Sequence, residues 1–153
     1  MFIKEIYLKN WKSHKETLVK FDKGTNIIIG IIGSGKTSIL DAIVFSLFGS
    51  SAKVGKLENL IKNTPISESF ARIYLKFEEN GKEYKVERII EKDKTHAELY
   101  ENNKEVESGS LRVNKAIEDI LKINMETFSK VIYCEQDNID FFFRLRKGER
   151  VKK

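Results

Sequence analysis

Gly30-Ile31-Ile32-Gly33-Ser34-Gly35-Lys36-Thr37 is a complete match to the phosphate-binding loop pattern G-x-x-x-x-G-K-[ST]. The pattern works only between a strand and a helix, because the loop amides must converge at the helix N-terminus. Thr25 to Ile29 is rich in β-branched residues and reads as that strand, ending at Gly30. From Lys36 onward Ile39, Leu40, Ile43, Val44 and Leu47 recur at helical spacing, and Gly49 marks the helix end. Glycine at 30, 33 and 35 allows backbone angles and close approach that a Cβ would block, so successive N–H groups from about Gly33 to Thr37 can form an anion nest. Lys36 is expected to reach the β- and γ-phosphates, the Thr37 hydroxyl to ligate a bridging Mg²⁺, and Ser38 to add a hydrogen bond.

Working outward, the 153 residues suit one domain, and 41% hydrophobic residues suffice for a core. No segment offers the ~18 consecutive apolar residues of a membrane span, and the N-terminus starts directly on a strand-like run rather than a secretory signal. An intracellular protein without membrane partners is the expectation. The single cysteine, Cys134, excludes an intrachain disulfide framework and reads as a small buried apolar residue. A net charge of +5 favours anionic partners, yet 28 basic against 23 acidic residues also describes a surface laced with ion pairs. A Lys-, Glu- and Ile-rich composition with one proline and a single glutamine resembles that of heat-adapted proteins.

Residues 2–8 read as one strand and residues 17–21 as another, joined by the polar corner Lys9-Asn-Trp-Lys-Ser-His14. Residues 50–55 read as a loop and 57–62 as a short helix broken by Thr64-Pro65. Three or four antiparallel strands follow: 68–78, a turn at Asn80-Gly81, 83–91, and 96–100 with a second turn at Asn102-Asn103. Residues 110–121 form a helix expected to bury Leu111, Ala116, Ile117, Ile120 and Leu121. A short helix at 125–129 then leads into a strand at 131–134. This is α+β organisation, an inserted antiparallel sheet beside a phosphate-loop strand and helix of α/β type.

His14 and His96 have no Cys or His partner at ligand spacing and read as surface histidines. Phe141-Phe142-Phe143 suits packing against a further segment or a partner-facing patch. The last ten residues carry six basic side chains against Glu149, a solvated helical face or a contact for DNA phosphates, and the chain stops within what reads as a helix, as a fragment would.

The arrangement resembles the opening of SMC-type ABC ATPases, above all those of the Rad-fifty double-strand-break repair group. The resemblance rests on the corner Lys9–His14, the lead-in Phe21-Asp-Lys-Gly-Thr-Asn-Ile-Ile-Ile-Gly30, the loop itself, and Leu40-Asp-Ala-Ile-Val-Phe-Ser-Leu-Phe-Gly49. Phe128-Ser-Lys-Val-Ile-Tyr-Cys-Glu-Gln136 resembles that family's Q-loop, and Gly148-Glu-Arg150 the approach to its coiled coil. The resemblance implies that residues 1–153 are a single N-terminal half-domain, an ABC-type ATPase lobe incomplete without its C-terminal half. It implies ATP and Mg²⁺ bound by Gly33, Ser34, Gly35, Lys36, Thr37 and Ser38, with Lys12 and Ser13 approaching the phosphates or base from the side. Gln136 would sense Mg²⁺ or the attacking water, so that Lys36 and Gln136 are the expected catalytic residues and Thr37 and Gln136 the metal contacts. Implied partners are the C-terminal half, a second ATPase head, a nuclease of the Mre-eleven type and DNA, in the cytoplasm or nucleoid of a prokaryote or archaeon.

Two departures from the family stand out. Ile31 and Ile32 replace a polar residue and an asparagine whose side chain helps hold phosphate. No strand ending in Asp-Glu, signature loop or switch histidine is evident, and Ser108-Gly109-Ser110 reads as a turn before the 110–121 helix. The lone chain is therefore expected to hydrolyse ATP weakly or not at all. A self-sufficient P-loop NTPase or kinase, and a nucleotide-gated binding module without turnover, are the alternatives.

Overall fold

The computed structural model describes residues 1–52, 54–63 and 68–131. Its framework is a six-stranded, wholly antiparallel sheet in the order β2-β1-β3-β4-β5-β6. The strands are β1 Phe2–Trp11, β2 His14–Lys20, β3 Ala71–Glu79, β4 Lys82–Ile90, β5 Thr95–Glu101 and β6 Lys104–Ser108. Asn80 and Gly81, both with positive φ, turn β3 into β4 as the Asn-Gly pair predicts, and Asn102-Asn103 does the same between β5 and β6. β1 runs three residues beyond the expected 2–8, so the polar corner shrinks to Lys12 and Ser13, and Trp11 inside it is fully buried.

Alternation along the strands sends Ile6, Leu8, Ile73, Leu75, Phe77, Val86, Ile90, Ala97 and Leu99 to one face. Helices α1 Lys36–Phe48 and α3 Ser110–Leu121 cover that face. Each fully buried aliphatic side chain there stabilises the fold by about 1.5–3 kcal/mol. α1 is apolar nearly all round in its last two turns, and Ala42 through Phe48 are buried without a break. Gly49 ends it with positive φ, its N–H bonding to the Phe45 carbonyl. α3 matches the predicted span and most of the predicted face: Ile117 is buried together with Val113, which that face left out, whereas Leu111 is exposed. Ala116 and Ile120 lie on the same stripe as Val113 and Ile117 and are half-buried, as is Leu121 at its edge, whereas Leu111 falls on the opposite side of the helix.

A 3-10 turn at Gly49–Ala52 replaces part of the loop expected at 50–55, and α2 is the single turn Leu57–Leu60. Ile61 leaves that turn to bridge Trp11. Met1–Lys122 form one unit and a second begins at Ile123, where α4 spans Met125–Val131. Val131 is thus helical rather than the start of the expected strand. Residues 132–134, Cys134 included, and Thr64-Pro65, Gln136, Phe141–Phe143 and Gly148–Arg150 lie outside the described residues.

The strand expected before the loop is missing from the first unit. Thr25 to Ile29 is not a strand: among the described residues it pairs with no neighbour, and Ile27, Ile29, Ile31 and Ile32 are 78%, 88%, 82% and 100% exposed. A strand needs ladder hydrogen bonds from a second chain segment, and the six-stranded sheet is complete without this one. The segment begins in a turn bracketed by Asn26, whose Oδ1 accepts from the Asp22 N–H at 3.0 Å while its Nδ2 donates to the Asp22 carbonyl at 2.8 Å.

Candidate phosphate-binding site

The loop ends where α1 begins. Gly35 caps the helix in the left-handed region, φ 89°, with no side-chain cap for the first-turn N–H groups. Those amides and the positive end of the helix dipole suit an anion. Any side chain at Gly35 would be strained by that φ, and its Cβ would also sit 2.6 Å from His14 Nε2 and 2.7 Å from Ser13 Oγ. Glycine is required there by the β1–β2 corner as much as by a ligand.

A 370 Å³ cavity opens over this junction, lined by Lys12, Ser13, Gly33, Gly35, Lys36, Thr37 and Ser38. These are seven of the eight residues assigned to nucleotide contact from the sequence; Ser34 instead turns its hydroxyl toward Gly30, whose Cβ position it would crowd at 2.6 Å. The Lys36 ammonium curls over the loop and donates to the carbonyls of Gly30 at 2.9 Å and Ile31 at 2.8 Å. Gln136 lies outside the described residues. A larger depression of 570 Å³, lined by Ser69, Phe70, Ile89, Glu91, Lys92 and Asp93, sets two carboxylates against one ammonium and is poorly suited to phosphate. Among the described residues no group of three His, Cys, Asp or Glu side chains could hold a metal ion.

The corner after β1 grips α1 at three points. Trp11 Nε1 donates to the Ser38 carbonyl at 2.8 Å, with its ring against Phe45. Lys12, in the left-handed region, donates to Asp41 Oδ2 at 2.6 Å and to the Val54 carbonyl at 3.3 Å. His14 Nε2 lies 3.1 Å from the Gly35 carbonyl and Nδ1 lies 3.0 Å from Thr17 Oγ1. A carbonyl only accepts, so Nε2 carries the proton and donates. His14 is therefore not the surface histidine read from the sequence but a half-buried prop under the loop; His96 is exposed, as that reading had it.

At the other end of α1 sits a residue that the sequence reading passed over. Arg88 lies in the inward row Tyr84, Val86, Arg88, Ile90 of β4 and is 1% exposed. Its Nε donates to the Ser46 carbonyl at 2.8 Å, and Nη2 to the Leu47 carbonyl at 3.2 Å and to Asn114 Oδ1 of α3 at 2.7 Å. Burial pulls its pKa down to about 9, so it stays a cation at neutral pH, facing the negative end of the α1 dipole. The signal was available: period-two alternation places residue 88 among core side chains. Asp41, one turn below Thr37 on α1, is a second residue to which the motif alone assigns no role.

The AAA domain model matches residues 5–153. Over 99% of its length the chain is 37% identical to the DNA double-strand break repair Rad50 ATPase of Methanocaldococcus jannaschii, and over 92% it is 37% identical to that of Pyrococcus abyssi. It spans about 15% of the length of the first of these relatives and 16% of the second. Among solved structures, the SMC head domain from Thermotoga maritima aligns with a TM-score of 0.57 at 29% identity, over 78% of this chain and 41% of that one. The RecF-ATP structure of the recombination mediator protein RecF aligns with a TM-score of 0.55 at 24% identity, over 70% of this chain and 28% of that one, and shows the shared fold. No described helix is long and apolar enough to cross a membrane. With an antiparallel sheet packed on a phosphate-loop helix and a family match over nearly its whole length, the chain belongs to the AAA domain family, and its fold is that of an ABC-type ATPase N-terminal lobe, similar to Rad50 ATPases and SMC heads.

Proposed function

We propose that this chain is the ATP-binding half of an SMC-type DNA double-strand-break repair ATPase, completed by a C-terminal half. The observation that carries the reading is the single cavity joining Lys36, Thr37 and Ser38 to the glycines of the loop and to Lys12 and Ser13. The loop amides and the α1 N-terminus hold the triphosphate, and the Lys36 ammonium moves from the Gly30 and Ile31 carbonyls to the β- and γ-phosphates. Mg²⁺ fits this donor set, because the ion takes few protein ligands beside phosphate oxygens, and Thr37 offers a hydroxyl. Bound there, it would neutralise charge building on those oxygens. Gln136 is the proposed contact of this chain to the ion or the attacking water.

Two such heads would sandwich two nucleotides, and their closure would govern DNA binding and an associated nuclease of the Mre-eleven type. The similarity to Rad50 ATPases supports the repair role. The bare isoleucines before the loop support the missing half, since they form the short continuous β-branched run of a buried strand and have no ladder partner among the described residues. A second reading, a nucleotide-gated binding module without turnover, draws on Ile31 and Ile32 in place of polar phosphate contacts.

ATP binding and turnover are to be measured for this chain alone and with a C-terminal half supplied in trans. Binding alone, followed by turnover on complementation, is the expected result. Turnover by the lone chain sinks the half-site reading, and binding without turnover in both states favours the second. Gln136→Ala is expected to retain binding and lose Mg²⁺-dependent turnover.

A further inference from the structure

Two ammonium groups line the phosphate cavity, and each is already held by an acceptor of the protein. Lys36 rests on two backbone carbonyls, which are neutral. Lys12 rests on a full negative charge, Asp41 Oδ2 at 2.6 Å, with side chains only 22% and 17% exposed. The Val54 carbonyl and the Trp11 ring, 5.7 Å from the ammonium, complete its surroundings. Asp41 follows Thr37 by four residues, which places both on one face of α1, so the carboxylate sits a single turn beneath the hydroxyl that lines the cavity.

The geometry points to Asp41 as an affinity-setting residue: its carboxylate competes with bound phosphate for Lys12. The inference rests on the phosphate-site reading above and goes beyond it by assigning a role to a residue outside the loop. Phosphate arriving at the loop must draw Lys12 off Asp41 and then lie within a few ångströms of the carboxylate left behind. Both effects oppose binding while Asp41 is charged, and the first vanishes when Lys12 is uncharged. Asp41 is thus a positioning residue. It keeps the corner docked on α1 and makes the second cation conditional on a ligand with enough negative charge to win it. A triphosphate wins more readily than a monophosphate, so the pair discriminates by charge.

The test is a double-mutant cycle on the full chain with inorganic tripolyphosphate as probe, read by titration calorimetry. Asp41→Asn keeps shape and removes charge, and is expected to tighten binding about fivefold, the scale of a partly shielded ion pair. In a Lys12→Met background the same change is expected to alter affinity by less than about twofold. Inorganic monophosphate should gain less from Asp41→Asn than tripolyphosphate does. Unchanged or weakened binding in Asp41→Asn overturns the inference, and so does equal tightening with and without the Lys12 charge, which would mark a general charge effect. If Asp41→Asn lowers the unfolding midpoint, Asp41→Ser is taken through the same cycle with the same expectations. Lys36→Ala separates the two levels of failure: lost binding with zero Lys12–Asp41 coupling refutes only the inference, whereas unchanged binding refutes the site and the inference with it.

Discussion

The outer face of the sheet and the loop before α1 treat exposed chemistry in opposite ways. On the sheet, Glu5 is held by Lys76 at 2.8 Å and by the Tyr74 hydroxyl, and Glu87 by Arg72 and by Lys85 at 3.1 Å. Tyr7 stacks on Tyr74 with centroids 5.2 Å apart and donates to Glu16, while Lys85 lies 4.2 Å over the Tyr100 ring. The lead-in to the phosphate loop instead offers a row of isoleucines to solvent. Cross-strand pairs complete the first surface within this chain. The second has the composition of a buried strand and, among the described residues, nothing to bury it against. Net charge +5 therefore does not translate directly into a nucleic-acid platform on the sheet, because Arg72, Lys76, Lys82 and Lys85 are engaged by neighbouring carboxylates.

The largest effect expected on the finished side of that contrast is at Arg88. Arg88→Ala removes the donor to the Ser46 and Leu47 carbonyls and to Asn114 and leaves a cavity, costing about 3–5 kcal/mol. Arg88→Met, which fills most of the volume, is expected to cost less but still about 1–3 kcal/mol, from carbonyls left unpaired. Chemical denaturation of both variants measures the difference. Equal stability of Arg88→Ala and the parent would mean that the phosphate-loop helix is not anchored at its far end by this residue.

Arg88 also marks where the sequence stops being legible. The hairpins were readable because Asn-Gly and Asn-Asn leave few other turns open, and α3 because Ala116, Ile117, Ile120 and Leu121 recur at helical spacing after the turn at Gly109. The loop could be read because its chemistry is backbone chemistry and requires glycine at fixed places. What could not be read depends on contacts between distant segments: Arg88 against the end of α1, His14 under Gly35, Lys12 on Asp41. The lead-in failed for a related reason. Its pattern is that of a strand, but a strand is a property of two segments, and the described residues supply one.

The Glu5–Lys76 pair sets the next scale, a pH dependence at both ends of the range. The hydrogen bond from Lys76 lowers the Glu5 pKa below its usual 4.5, offset in part by burial. Its stabilisation is present above that value and fades as pH falls through the lowered one. The hydrogen bond to Glu5 raises Lys76 above its usual 10.5, so its share is complete below 10.5 and fades as pH climbs past it. Lys76→Met is expected to flatten the acid limb of a stability–pH curve; an unchanged limb would place the acid sensitivity elsewhere. At Tyr100 the hydrogen bond to Glu98, 2.6 Å, is the main cause of a pKa pushed up to about 12, with burial second. Glu98→Gln should bring the ultraviolet titration of Tyr100 back toward 10, with little change in stability at neutral pH.

The smallest effect is the one that most sharpens the contrast. Ile27→Thr and Ile29→Thr keep β-branching and remove apolar surface from positions that are already exposed, so the lone chain should lose no more than about 0.5 kcal/mol. A comparable change inside the sheet, such as Ile73→Thr, puts a hydroxyl at a fully buried position and is expected to cost several times as much. If the isoleucines wait for a strand from a C-terminal half, the same two changes should weaken complementation by that half, because burial then becomes available to lose. A large loss in the lone chain would show that the lead-in is already packed, and an unaltered complementation would show that it is never packed by that partner. Only the combination of a silent effect alone and a measurable one in the assembly supports a surface built for a segment that is not among the described residues.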